Sequence, residues 1–237
     1  MIDDWFDVIE LPLSYDQYRA LPTNPAYKYE YFNGRAVLSP KPKCYRAVLE
    51  LVTAATHANI SESSRLELRS LRDADWAHFP KLFAGAFARV QPFCSLSDDR
   101  RMDAANGCLA KTQTGGDGPL IETACVVATH PNDSDHPIAA SLVTLSRFRD
   151  EEGDDEDSKM WSQDIPHLTW IFVAPRMSRH GVGSALLNAS IRGLISLGST
   201  HLASTFLLGN ESSTLWHWRN GFRVRSYEQR LRNASRF

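Results

Sequence analysis

The residues best equipped for chemistry lie between Val173 and Leu187, in the run Val-Ala-Pro-Arg-Met-Ser-Arg-His-Gly-Val-Gly-Ser-Ala-Leu-Leu. A β-branched and aromatic stretch, His167 to Ala174, feeds a glycine-bearing turn. The turn becomes an apolar-periodic segment from about Gly181 to Leu197, closed by Gly198. Such a turn suits an anion. Free N–H groups at a helix start point outward with the positive end of the helix dipole, and glycine lets a phosphate approach without a Cβ in the way. Gly181 and Gly183 stand where that approach would happen. A packing turn needs glycines as often, so both readings stay open at this point. The run contains no GxxxxGK[ST] and no third glycine, which excludes a nucleotide-triphosphate loop and a dinucleotide fingerprint.

Two histidines complete the candidate chemistry. His167 opens the strand six positions before Val173, and His217 lies in the aromatic segment Leu215-Trp-His-Trp. An imidazole with its ordinary pKa near ~6.5 can take or give a proton at neutral pH. Each also has a plainer reading. His167 follows Pro166 at a strand entry, and His217 would pack between Trp216 and Trp218 with one hydrogen bond satisfied.

Val173-x-Pro175, a turn and then Gly181-x-Gly183 resemble the acyl-CoA signature of the GNAT superfamily of N-acetyltransferases, Arg/Gln-x-x-Gly-x-Gly/Ala. Asn210 lies seven positions before His217 and eleven before Gly221-Phe222, which is similar to the family's Asn, Tyr and Gly-Phe spacing. The likeness covers roughly residues 64 to 230. It implies an α/β (α+β) fold with a mixed, mostly antiparallel central sheet flanked by helices, and acetyl-CoA as co-substrate without a metal. Backbone amides of Arg179, His180, Gly181, Val182, Gly183 and Ser184 would hold the pyrophosphate. Main-chain groups of Phe172 and Val173 would pair with pantetheine, Asn210 would contact its arm, and an oxyanion would be stabilised near Val173. His167 falls where some members carry a glutamate base, and His217 where the family commonly has a tyrosine acid. The sequence departs from the pattern at Ser178, where Arg or Gln is usual, and at Arg179, in place of a frequent glycine. Arg179 and His180 would add cationic contacts or stand as solvated turn residues.

The elements that must position these groups follow from the pattern around them. Arg65 to Arg69 alternates like a strand, and Asp73-Ala-Asp opens a helical segment through Trp76, Phe79, Phe83 and Phe87. Asp98 to Lys111 predicts a second helix, ended at Gly115-Gly-Asp-Gly-Pro. Leu120 to Ala128 and Ile138 to Phe148 predict a strand pair, and Asp150 to Asp157 a solvated acidic loop. A strand from His201 to Leu208, a short helix from Glu211 to Arg219 and a last strand from Phe222 follow.

Before this domain, placed at residues 61–237, residues 1–60 predict an extension: a short helix, a hairpin turning at Asn33-Gly34, and a helix from Tyr45 to Ala58. Its Tyr29-Glu-Tyr-Phe-Asn-Gly run resembles the opening of a restriction-endonuclease-like nuclease family. Glu30 alone binds no metal, and there is no room before Arg65 for the further carboxylates a nuclease needs.

The 237 residues allow one main domain with an extension. A net charge of −2 excludes a general field for nucleic acid or anionic membrane, and no apolar run reaches bilayer length. The acidic start is wrong for a secretory signal, so a cytoplasmic protein is expected. The four cysteines show no CxxC pairing and are read as free thiols. The expected reaction is acetyl transfer to an amine of a small molecule or peptide, with a homodimer left open. The alternatives are a non-catalytic acyl-CoA-binding or interaction module on the same fold and, less favoured by the charge, a nucleic-acid-associated protein.

Overall fold

The computed structural model describes residues 8–24, 27–40, 44–52, 66–90, 92–147, 164–207 and 209–224. The acidic loop at 150–157 and residues 53–60 lie outside them, as does the chain after 224.

Near the start, β1 (Ile9–Pro12), α1 (Tyr15–Arg19), β2 (Tyr27–Phe32) and β3 (Arg35–Pro40) build a three-stranded antiparallel sheet in the order β1-β3-β2. Its hairpin turns at Asn33 and Gly34, with φ of 51° and 74°. Paired left-handed residues are what a two-residue hairpin loop demands. Ser14 and Gln17 close a capping box on α1. Tyr27, Ala36 and Leu38 are buried against Ile9, Leu11, Tyr18 and Tyr31. Glu30 is paired with Lys28 at 2.7 Å.

The second sheet has seven strands in the order β10-β4-β9-β8-β7-β6-β5. They are β4 (Cys44–Glu50), β5 (Glu67–Ser70), β6 (Val126–Thr129), β7 (Ala139–Arg147), β8 (Asp164–Val173), β9 (His201–Leu207) and β10 (Arg223–Val224). All neighbours are antiparallel except β8 and β9. The fold is thus mixed α/β with a mostly antiparallel sheet flanked by helices, as expected.

Side-chain alternation divides the core between the two faces of the sheet. On one face α2 (Phe79–Ala86) and α3 (Asp98–Gln113) set Phe79, Phe83 and Leu109 against Val127, Leu142 and Phe172. On the other, α4 (Val182–Ser196) sets Leu187, Ile191 and Leu194 against Val143, Leu168 and Leu202. A short α5 (Glu211–Arg219) follows β9.

Three local expectations change. The segment predicted as a helix from Tyr45 to Ala58 is a strand over Cys44–Glu50, lying between β9 and β10. Its register with β9 runs unbroken from Cys44↔Leu207 to Glu50↔His201. Tyr45, Ala47 and Leu49 join the core beneath α4, so a period of two serves burial here better than a helical face. The strand predicted from Leu120 starts only at Val126, after a 3-10 turn at Glu122–Ala124. The helix predicted from Asp73 is first a 3-10 turn, Asp73–Ala77. There the buried Asp75 carboxylate accepts from the Arg69 guanidinium at 2.6 and 2.8 Å and from the Arg72 amide at 2.8 Å.

Candidate functional site

The site is built where β8 and β9 part. The two strands pair in parallel only at His167↔Ala203 and Leu168↔Ser204. On the far side of β8 the register with β7 jumps from Val143↔Leu168 to Leu142↔Trp170, which leaves Thr169 as an extra residue. A bulge of this kind bends its strand and raises the local twist. Beyond it, Trp170 to Val173 still pair with β7 but turn away from β9, so a wedge opens toward the C-terminal ends of both strands. The bulge is pinned by its own hydroxyl, which meets Thr144 Oγ1 at 2.8 Å and donates to the His167 carbonyl at 3.3 Å.

At the wide end of the wedge stands the predicted anion turn. After a 3-10 turn at Pro175–Met177, Ser178 is extended, Arg179 has φ 65° and Gly181 has φ 76°. Gly181 is the N-cap of α4 and offers no side-chain acceptor; the first helical bond is Ala185 N–H to Gly181 O, 2.9 Å. The amides from Arg179 to Ser184 consequently find no acceptor among the described residues. Alternating left-handed residues before a helix start form a concave nest of N–H groups that accepts an anion. A Cβ at Gly181 would meet nothing within 4 Å, so the mouth of this nest is open. The turn needs a left-handed residue at Arg179, which costs a non-glycine residue such as arginine about 1 kcal/mol. Arg176, Arg179 and His180 are exposed around the turn. The His180 ring donates from Nδ1 to the Ser178 carbonyl at 2.8 Å.

Phe172 is buried on the α2 side of β8, while Val173 is partly buried beneath α4. Asn210 caps α5: its Oδ1 accepts from Ser213 N at 3.1 Å and from the Ser212 hydroxyl at 2.9 Å. No partner of its side-chain NH2 group occurs among the described residues.

His167 lies at the closed end of the wedge. Its Nε2 is 3.0 Å from Thr205 Oγ1 and its Nδ1 is 3.2 Å from Thr169 Oγ1. The ring keeps some exposed surface, yet burial dominates its surroundings and pushes it down to about 4, against a smaller upward pull from Asp117.

His217 corrects an expectation. It is 5% exposed, stacked on Phe206 at 4.1 Å, with Trp216 and Phe222 against its edges. Nδ1 donates to the Ser213 carbonyl at 2.7 Å, and because a carbonyl only accepts, the proton is on Nδ1. Nε2 accepts from the Ser204 hydroxyl at 2.8 Å. Burial pushes the ring down to about 4. A neutral imidazole whose single proton is committed to a main-chain carbonyl has none to give a thiolate, so the tyrosine-like acid role does not fit this geometry.

The same burial makes stability depend on pH. Both histidines titrate near ~6.5 when unfolded and near about 4 when folded, so the unfolded chain binds more protons between these values. Their contribution is complete above about 6.5 and is lost as the pH falls toward 4. Thermal melts of the wild type should drop steadily over that window. A His217→Phe variant should lose part of that slope, and an unchanged slope would contradict the buried neutral ring.

Two features escaped the sequence reading. The Thr169 bulge has no local signature. The Trp216 indole lies against the turn: a Cβ at Gly183 would be 3.3 Å from Trp216 Nε1 and 3.9 Å from Val173 Cγ2. Its signal was the Trp-His-Trp run, read only as packing. Cys108 and Cys125 are buried, their thiols pushed up by burial to about 12 and about 11, which keeps them out of thiolate chemistry. No group of His, Cys, Asp or Glu able to hold a metal occurs among the described residues, and none of their helices is long and apolar enough to cross a membrane.

No protein-family model matches the chain, and neither does any curated protein. Among solved structures it is similar to AAC(6')-Iy in complex with the bisubstrate analog CoA-S-monomethyl-acetylneamine, at 20% identity over 67% of this chain and 90% of that one, with a TM-score of 0.42. A GNAT family acetyltransferase from Brucella melitensis in complex with acetyl-CoA is 13% identical over 56% of this chain and 71% of its own, with a TM-score of 0.40. The aminoglycoside antibiotic 6'-N-acetyltransferase AAC(6')-IG from Acinetobacter haemolyticus is 16% identical over 68% and 93%, with a TM-score of 0.42. Likenesses of this size carry no argument about what this chain does.

Proposed function

We propose that the chain is an acyl-CoA-dependent N-acyltransferase that moves an acetyl group from acetyl-CoA to an amine of a small molecule or peptide. The observation that carries this reading is the junction of two open features: a wedge with an unpaired strand edge, and a nest of acceptor-less amides at its wide end. A ligand with a long amide-bearing arm and a pyrophosphate at one end satisfies both at once.

In this reading the amides of Arg179 to Ser184 hold the pyrophosphate, with Ser178 beside them. The main-chain groups that Val173 turns away from β7 hydrogen-bond the pantetheine beside Phe172, and the Asn210 NH2 group reaches the same arm. Thr169 to Val173 span roughly 13 Å at ~3.3 Å per residue step. With the pyrophosphate at the turn, the acyl end reaches toward the bulge and His167, which moves the oxyanion expected near Val173 closer to Thr169. The amine attacks the carbonyl carbon, the C–S bond breaks, and the thiolate leaves without a dedicated acid. His167, neutral over the physiological range, takes the amine's proton directly or through a water held with Thr205.

The test is release of free thiol from acetyl-CoA with a panel of amines. Amine-dependent release is expected, falling on the order of 100-fold in kcat for His167→Ala. Unchanged turnover of that variant at every pH would remove His167 as the base. A second reading, a non-catalytic acyl-CoA-binding module, is favoured by the two low-pKa, hydrogen-bonded histidines. It predicts donor binding without thiol release.

A further inference from the structure

Trp216 projects from α5 to the start of α4, beside Gly183. Its ring belongs to the core beneath α4, packing with Phe222 at a centroid distance of 6.3 Å, and it remains only partly buried. The polar edge of the indole faces the turn: of the atoms near a Cβ built at Gly183, Nε1 is the closest, at 3.3 Å, with Cε2 at 3.8 Å. That spacing is tighter than ordinary van der Waals contact, so glycine at 183 is what lets the indole in. Val173, the last residue of the open strand edge, approaches the same point.

An indole N–H is a donor only, and one placed against protein ordinarily finds an acceptor. This one has none among the described residues. Beside it is Gly183 of the nest, whose amides are donors lacking acceptors as well. A donor without an acceptor that lies against Gly183 of the phosphate turn stands where it can add to the turn's own amides, and it is a side chain from a different helix.

We propose that the Trp216 indole N–H is a further hydrogen-bond donor to the pyrophosphate of the acyl donor, acting beside the Gly183 amide and coupling α5 to the phosphate turn. The proposal rests on the acyl-CoA reading above. It also gives Gly183 a second duty, since the residue admits the indole as well as the phosphate.

The experiment titrates wild type and Trp216→Phe, which keeps an aromatic ring and removes the N–H, with CoA, with 3'-phosphoadenosine 5'-diphosphate and with pantetheine. A hydrogen bond to a charged oxygen corresponds to roughly a tenfold change in affinity. The variant should lose about that factor for CoA and for the diphosphate, and nothing for pantetheine. Equal affinity of variant and wild type for CoA overturns the proposal, as does a loss seen only with pantetheine. A readout independent of the variant's folding is the wild-type Trp216 indole 1H–15N signal, which should move on addition of the diphosphate; a signal that stays in place also overturns the proposal. If the wild type binds neither CoA nor the diphosphate, the acyl-CoA reading itself fails, and that outcome is distinct from a wild type that binds as well as its variant.

Discussion

Gly193→Ala should melt about 10 °C below the wild type, although alanine is the better helix former by ~1 kcal/mol. Gly193 is in the fourth turn of α4, over the 3-10 turn at Glu122–Ala124. A Cβ there would be 2.1 Å from the Thr123 carbonyl oxygen, 2.8 Å from its carbon and 3.2 Å from Ala124 Cα. All three are main-chain atoms, so no rotamer relieves the clash and the helix must lift off the sheet. We expect a cost on the order of 4 kcal/mol, at the severe end for overpacking. Gly107 in α3 is the control, since a Cβ there meets nothing within 4 Å and alanine should stabilise. Melts followed by circular dichroism decide it: a Gly193→Ala variant as stable as wild type would contradict this packing. The consequence is functional too, because the seating of α4 on that turn fixes where its N-terminus points.

Ser184→Asp should separate folding from donor binding. Ser184 is the third residue of α4, and a carboxylate in a first turn is stabilising by about 0.3–1 kcal/mol through the helix dipole. The melting temperature should hold or rise slightly. The same carboxylate competes for the amides of the nest and repels a phosphate, by about 2–3 kcal/mol at the effective dielectric of a protein surface. CoA affinity should therefore fall on the order of 100-fold. A variant that keeps wild-type affinity would show that phosphate does not sit at this turn.

What could be read from the sequence was local, and what could not depended on partners far along the chain. The turn from Pro175 to Ser184 and the limits of α5 follow from glycine, proline and capping residues within a few positions. The strand at Cys44–Glu50 does not, because Tyr45 to Leu51 fits a helical or a two-residue period, and only the slot between β9 and β10 chooses. His217 was placed on the correct helix, but its character is set by Phe206 and Ser204, which β9 brings to it. The wedge was invisible for the same reason: it is a failure of pairing after Leu168, and no residue type encodes it. Arg179 shows the converse, since a nonglycine residue hid a left-handed position that the turn still requires.

The central claim is that the nest and wedge together take an acyl-CoA, and isothermal titration of the wild-type chain with CoA tests it most directly. The account predicts saturable binding at one site per chain, weakened by raised salt as phosphate contacts are screened. Absence of binding at millimolar CoA to a chain with an intact thermal transition would contradict it.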